Sequence, residues 1–246
     1  MKALIMAAGV GNRLGRDRNQ CPKCLLEFGG RSLLSRHLDN LENLGVHEIV
    51  LGVGYRANTI QQAITRLNPK ADIQLVNNPD YEQGSIVTLW QLRHHLSDGE
   101  DVLLMDADVL YDPRILERLM TSVYCNCFLL DRDLEAGEEP VKVCVRGGQL
   151  IEFRKKVHVT ADYCGESVGF FRFSAEMGQQ LAETSRRYLA GNRRAEPHEE
   201  ALRDLLLTSP EKIGFEDVTG LPWIEIDFTD DIDRARNEIL PLLTDR

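Results

Sequence analysis

Three groups of residues in this chain have types and spacings that could do chemistry. The first is a glycine-rich turn, Ala7-Ala8-Gly9-Val10-Gly11-Asn12-Arg13-Leu14-Gly15, which directly follows a short apolar run. Glycines there let backbone N–H groups close on a phosphate, because no side chain blocks the approach. The spacing Gly-x-Gly-x-x-x-Gly is not the dinucleotide fingerprint, and no Gly-Lys-Ser/Thr closes it as a Walker A loop would. Arg13, Arg16, Arg18 and Lys23 follow closely, opposed only by Asp17. In a chain of net charge −10, such a basic cluster fits an anionic substrate held locally. Cys21-Pro22-Lys23-Cys24 lacks the second Cys or His pair of a zinc knuckle. Pro22 instead stiffens the chain and aims Lys23 back at the loop, with both cysteines as small apolar fillers.

The second group is Asp106-Ala107-Asp108, at the end of the apolar run 101–105. Hard oxygen ligands at the carboxyl end of a strand suit Mg²⁺, which binds through one or two carboxylates plus substrate phosphates. One of the two aspartates is expected to reach the ligand. The third group, Glu225-Ile226-Asp227, has the same form, and Asp227 could supply a second metal carboxylate. Asp230 and Asp231 read as acids at the positive end of a final helix.

These groups must be positioned by alternating elements. Strands are expected over 3–7, 48–53, 72–76 and 101–105. Helices are expected over 31–44, 56–67, 85–96 and 113–121. Leu33, Leu34, Leu38, Leu41 and Leu44 form one stripe on the first helix, and Gly45 stops it. This βα alternation predicts a mostly parallel sheet covered by helices. The second half changes character. Runs 141–146 and 149–156 flank Gly147-Gly148 as a hairpin. A strand at 167–173, helices at 175–190 and 198–207, strands at 213–218 and 223–227, and a helix at 230–243 follow. Arg186 to Pro197 reads as a mobile loop. The whole of 1–246 is expected to form one α/β domain with a small antiparallel appendage.

Composition narrows the classes further. Hydrophobic residues at 43% and charged residues at 28% exclude a disordered or fibrous chain. The acidic balance, with a pI near 5.1, argues against a nucleic-acid or membrane-surface partner. No export signal and no apolar run of roughly 18 residues is found, so a cytoplasmic protein with reduced thiols and no membrane insertion is expected.

A strand, Ala-Ala-Gly-x-Gly-x-Arg-Leu, Pro-Lys, Asp-x-Asp and a late Glu-x-Asp together resemble the nucleotidyltransferases that make activated sugars and alcohols. The resemblance implies a Rossmann-like core of the glycosyltransferase-A type. It implies that Ala8, Gly9 and Gly11 lie against the nucleotide, with Asp106 nearby. Arg13 would hold the β- and γ-phosphates, and Lys23 would bridge to the α-phosphate. Asp108 and Asp227 would bind Mg²⁺, and Gln83, Gly84 and Ser85 would read the base. Asp-Ala-Asp and Glu-Ile-Asp are similar to the phosphocholine cytidylyltransferase branch. That branch implies CTP as donor and a small phosphorylated amino-alcohol as acceptor, phosphocholine first. Aminoethylphosphonate, inositol-1-phosphate or a sugar-1-phosphate are the alternatives. By the same resemblance, residues 1–130 form the nucleotide half and 131–246 the acceptor half.

The acceptor phosphate is then expected near Glu152 and Lys155 or Lys156, as in the sugar relatives. Glu199 and Glu200 stand near where the choline branch has a carboxylate pair. Tyr163, Trp223 and Phe171 are the candidates for an aromatic box around a quaternary ammonium. An NAD-dependent dehydrogenase fails on the glycine spacing and on the missing acidic residue beyond the loop. A nucleotide sensor without catalysis is opposed by the intact Lys23, Asp108 and Asp227.

Overall fold

The computed structural model describes residues 1–14, 21–134 and 140–244, so Gly15, Arg16, Asp17 and Arg18 lie outside the described residues. In chain order the elements are β1 (Lys2–Ala7), β2 (Glu27–Phe28), β3 (Arg31–Ser32), α1 (Leu33–Asn43), β4 (Glu48–Val53), α2 (Ala57–Leu67) and β5 (Asp72–Asn77). Next come α3 (Ser85–Gln91), α4 (Arg93–Leu96), β6 (Val102–Asp106), β7 (Val109–Tyr111), α5 (Pro113–Thr121) and β8 (Cys127–Asp131). The chain continues with β9 (Lys142–Arg146), β10 (Gln149–Arg154), β11 (Tyr163–Phe173), α6 (Ala175–Ala190), α7 (His198–Thr208), β12 (Gly214–Asp217), β13 (Trp223–Glu225) and α8 (Thr229–Arg234).

The main sheet runs β10-β9-β11-β6-β1-β4-β5, with β8 on β11 and β12 on β8. Strands β6, β1, β4 and β5 are parallel. Strand β11 lies antiparallel on β6 and passes the sheet on to the β9–β10 hairpin. The fold is therefore the expected Rossmann-like α/β class, and its antiparallel appendage continues the central sheet. Central strands buried on both faces need apolar residues throughout. Ala3, Leu4 and Ile5 on β1 and Leu103, Leu104 and Met105 on β6 meet that need, all fully buried.

Local chemistry sets the element ends. The Ser32 side chain accepts from the Ser35 N–H (3.1 Å) to cap α1, and Gly45 ends it at φ +77°. Gly147 and Gly148 both take positive φ, as a tight hairpin turn between twisted strands requires.

Several expectations are corrected. The 85–96 helix breaks at the fully buried Leu92, whose ψ lies near zero. Strand 167–173 begins earlier, at Tyr163, because residues 163–166 pair with β9. Strand 223–227 ends at Glu225, which leaves Asp227 on the turn before α8. After Arg234 the final helix passes into a wider turn over 235–239 and a tighter one over 240–242. Residues 186–190 belong to α6. The remaining loop is tied to the start of α3: the Gly84 N–H donates to the Arg194 carbonyl (2.8 Å) and the Ile86 N–H to that of Glu196 (3.3 Å). Strands β2, β3, β7 and β8 have no counterpart among the expected elements, and Arg31 and Ser32 form β3 instead of opening the first helix. Cys144 and Cys164 are not free thiols: the β9–β11 register sets them opposite each other and they form a disulfide. Cys24 is a buried filler, whereas Cys21 is exposed. Among the described residues, no helix is long and apolar enough to cross a membrane.

Candidate active site

Strands β1 and β6 pair in parallel, Met6 opposite Asp106, so the glycine loop and both aspartates emerge at the same sheet edge. Strand β13 pairs with β7, Glu225 opposite Val109, and the Ile226 N–H donates to the Asp108 carbonyl (2.9 Å). That pairing carries Glu225 and Asp227 to Asp108. One carboxylate oxygen from each of Asp108, Glu225 and Asp227 lies within 4.8 Å of the others. The edge opens into a cavity of about 570 Å³, lined among others by Ala8, Gly9, Gly11 and Lys23.

Lys23 reaches into this carboxylate cluster. Its Nζ donates to Asp108 Oδ2 (2.8 Å) and Asp227 Oδ1 (2.7 Å), and Arg13 donates to Asp227 Oδ2 (3.0 Å). A one-turn helix over Lys23–Leu25, begun after Pro22, fixes the root of the lysine. Gly11 stands at φ +68°, and a Cβ there would lie 3.2 Å from the Lys23 stem, so the loop needs glycine for both conformation and space. Burial pulls the Lys23 ammonium downward, but the charges of Asp108 and Asp227 outweigh it and raise its pKa. Burial pushes the Asp227 carboxyl up, and Lys23 reverses this to a net lowering. Glu225 is exposed and lines both the main cavity and a smaller neighbouring cleft. Enclosure, then the charges of Asp108, Asp227 and Asp106, push it well above the ordinary carboxylate range.

Both aspartates of Asp106-Ala107-Asp108 line the cavity, not one. Burial pushes Asp106 up to about 7. Gln83 and Ser85 line the cavity beside Tyr81. Gly84 does not: it faces the 194–196 backbone, and a Cβ there would overlap the Glu196 carbonyl oxygen.

Of the expected acceptor residues, Glu199 lines the cavity. Lys155 stands close enough for its charge to help lower both Glu199 and Asp227. Glu199 itself stands 3.0 Å from His198 Nδ1, and the others are engaged away from the cavity. Glu152 is buried against Arg203 (2.6 and 2.9 Å), and Glu200 pairs bidentately with Arg154 (2.8 and 2.9 Å). The aromatic box is not assembled. Phe171 packs in the core against Phe128 at 4.8 Å, and the Arg132 guanidinium covers Tyr163 at 4.3 Å. The Trp223 Nε1–H donates to Asp131 (2.7 Å) in a smaller neighbouring cleft that shares Glu225 with the main one and is also lined by Asp227.

Two residues escaped the sequence reading. Glu225 completes the carboxylate cluster, and its only signal was its place in Glu225-Ile226-Asp227. His198, the first residue of α7, lines the cavity, and nothing but its neighbour Glu199 pointed to it. Burial lowers the His198 imidazole, but Glu199 and Asp106 outweigh burial and push it up to about 9.

Residues 3–203 match the family described as MobA-like NTP transferase domain. The chain belongs to this family. The loop after β1, Lys23, Asp106, Asp108, His198 and Glu199 fall within the matched residues, whereas Glu225 and Asp227 lie beyond them. The CMP-5'-(3-aminopropyl)phosphonate synthase of Streptomyces rubellomurinus is 31% identical over 134 residues, 54% of this chain. The chain spans only 21% of that relative's length. The CTP:phosphoglutamine cytidylyltransferase of Campylobacter jejuni is 22% identical over 189 residues, covering 71% of this chain and 73% of that one. The inositol-1-phosphate CTP transferase of T. maritima superposes with a TM-score of 0.75 at 20% identity, over 98% of this chain and 94% of that chain. That likeness establishes the fold.

Proposed function

We propose that this nucleotidyltransferase is a Mg²⁺-dependent cytidylyltransferase that transfers CMP from CTP to a small phosphorylated or phosphonate amine and releases pyrophosphate. The observation that carries the reading is the meeting of Lys23 and Arg13 with Asp108, Glu225 and Asp227 beside the glycine loop. Two relatives whose names specify CMP or CTP chemistry support cytidine as the base.

The acceptor oxygen, already an anion near neutral pH, attacks the α-phosphorus in line. A new P–O bond forms, the bond from the α-phosphorus to the bridging oxygen breaks, and pyrophosphate carries away the electron pair. No general base is needed, so catalysis is positioning plus charge neutralisation. Backbone N–H groups of Ala8, Gly9 and Gly11 cradle the nucleotide, with Arg13 at the β- and γ-phosphates and Lys23 at the α-phosphate. Hard carboxylate oxygens are the donor set Mg²⁺ prefers, and Asp108, Asp227 and Glu225 would hold it. Bound there, the ion supplies Lewis-acid neutralisation of phosphate charge.

Residues 1–130 serve as the nucleotide half in this reading and 131–246 as the acceptor half. A carboxylate, Glu199, faces the cavity and the aromatic box does not form around it. A primary amine, which can lean on a carboxylate alone, therefore fits ahead of the quaternary ammonium of phosphocholine. The test is a matrix of the four NTPs against aminoethylphosphonate, phosphoethanolamine, phosphocholine, inositol-1-phosphate and sugar-1-phosphates, read by pyrophosphate release. Turnover is expected with CTP and an amine acceptor. A preference for UTP or dTTP with a sugar-1-phosphate would overturn the assignment. CTP with inositol-1-phosphate would overturn its acceptor part alone.

A further inference from the structure

His198 is 4% exposed, and its ring stands in the cavity wall between the nucleotide-side residues Ser85 and Asp106 and the acceptor-side Glu199. One edge of the ring has close polar neighbours. Nδ1 lies 3.0 Å from the Glu199 carboxylate and 3.1 Å from Ser85 Oγ, and the His198 backbone N–H donates to that same Oγ (2.8 Å). The other edge is not. Nε2 is buried without a hydrogen-bond partner, and the nearest charge, Asp106 Oδ1, stands 3.6 Å away. That separation is too long for a hydrogen bond. The ring lines the cavity, and a buried nitrogen left unpaired costs stability unless a ligand atom completes it.

The surroundings restrict which ligand atom that is. Glu199 and Asp106 flank the ring, so a phosphate or phosphonate oxygen placed there would meet two carboxylates. A neutral group that both donates and accepts suits the gap, and a hydroxyl has that property. It can bond to the imidazole nitrogen and to the Asp106 carboxylate together. Ser85 and Asp106 belong to the strand end and helix start that face the nucleotide. We propose that His198 and Asp106 form a hydroxyl-reading slot for the ribose of the nucleotide, and that His198 is a sugar-specificity residue of this enzyme. The inference rests on the nucleotidyl-transfer reading above. It gives α7, which carries Glu199 toward the acceptor, a direct contact with the donor.

The test is equilibrium binding, without acceptor and in Mg²⁺, of CTP, 2′-deoxy-CTP and 3′-deoxy-CTP to the wild-type protein. One deoxy analogue should bind on the order of 10- to 100-fold more weakly than CTP, the range for losing a hydrogen bond to a charged partner. His198→Phe, which keeps a ring but no nitrogen, should bind CTP about as weakly as that analogue and lose the discrimination. His198→Gln, which restores an amide, should recover part of it. A structural role alone would lower stability without changing the ratio between the nucleotides. Equal binding of all three by the wild type, or full discrimination surviving in His198→Phe, would overturn the slot. The wild-type arm stands even if a variant fails to fold. If another NTP binds in place of CTP, its own deoxy forms test the slot while the cytidine assignment falls. If no NTP binds, both readings fall.

Discussion

Lys23 and Asp227 stand 204 positions apart in the chain and 2.7 Å apart in space. The same ammonium lies 2.8 Å from Asp108, so a lysine occupies the centre of the oxygens best suited to a divalent cation. Asp108→Ala and Asp227→Ala should each abolish turnover at any practical Mg²⁺ concentration while the fold survives. Circular dichroism with a pyrophosphate-release assay checks this. Near wild-type activity in either folded variant would remove it from the metal-binding set.

Lys23 should matter more to the transition state than to the ground state. Lys23→Ala is expected to lower kcat on the order of 10²-fold and to change the KM for CTP far less, because an ammonium near the α-phosphate gains interaction as charge shifts. The same lysine donates to two of the three carboxylates, Asp108 and Asp227, and partly offsets their charge. Added Mg²⁺ should therefore raise the melting temperature of Lys23→Met more than that of the wild type. A change confined to KM, or an equal Mg²⁺ effect in both proteins, would speak against this dual role.

Gly84 bears on the loop after α6. A Cβ at this position would collide with the Glu196 carbonyl and with the backbone of Arg194 and Ala195. Gly84→Ala should push the 194–196 backbone away from α3, at a cost of about 1–3 kcal/mol. A thermal melt should fall by several degrees. CTP binding should weaken with it, since Gln83 and Ser85 flank the displaced residue. An unchanged melt would show that the loop yields freely.

Stability should depend on pH through His198. Its neighbours push its pKa up to about 9 in the folded chain against the ordinary 6.5 of an imidazole, so folding favours the protonated form. The stabilisation is complete below about pH 6.5 and is lost as pH rises through 9. It amounts to no more than about 3 kcal/mol. Asp106, raised to about 7 by burial, acts in the same sense at lower pH: its ionisation costs the folded state between 3.8 and 7. Urea unfolding at pH 6, 8 and 9.5 should show the wild type losing its advantage over His198→Gln across that range. A constant difference would contradict it.

The two adjacent glutamates on α7 should behave differently. Glu199→Gln should raise the acceptor KM, because the cavity loses its acceptor-side carboxylate. Removing one partner of a desolvated charge pair costs about 2–5 kcal/mol, less where water enters. Glu200→Gln should leave the KM nearly alone, since that carboxylate is spent on Arg154. Steady-state kinetics on both variants decides, and equal effects would place Glu200 in the acceptor site after all.

What was legible in the sequence was what neighbouring residues decide. The glycine loop, Pro22-Lys23 and Asp106-Ala107-Asp108 each carry their meaning within a few residues, and each reached the site. The parallel strands were legible because burial on both faces demands unbroken apolar runs. Contacts set by pairing register were not. Nothing near Cys144 names Cys164 as its partner, and only the β9–β11 register does so. Glu152 and Glu200 had the right charge for an acceptor site, but Arg203 and Arg154 had claimed them. His198 was hidden for a similar reason: its role depends on Asp106 and Ser85, which approach it only after the sheet and α7 have packed.

Every part of the carboxylate cluster except the Asp108 turn depends on the pairing of β13 with β7, a short ladder of Trp223↔Tyr111, Ile224↔Leu110 and Glu225↔Val109. It joins distant stretches of chain and is therefore expected to form after the local helices and the β1–β4–β5 crossovers, which close smaller loops. Far-ultraviolet signal and nucleotide-binding capacity are therefore separate clocks for this molecule. A refolding chain is expected to regain most of its helix and sheet before it regains the capacity to hold a nucleotide, which waits for β13.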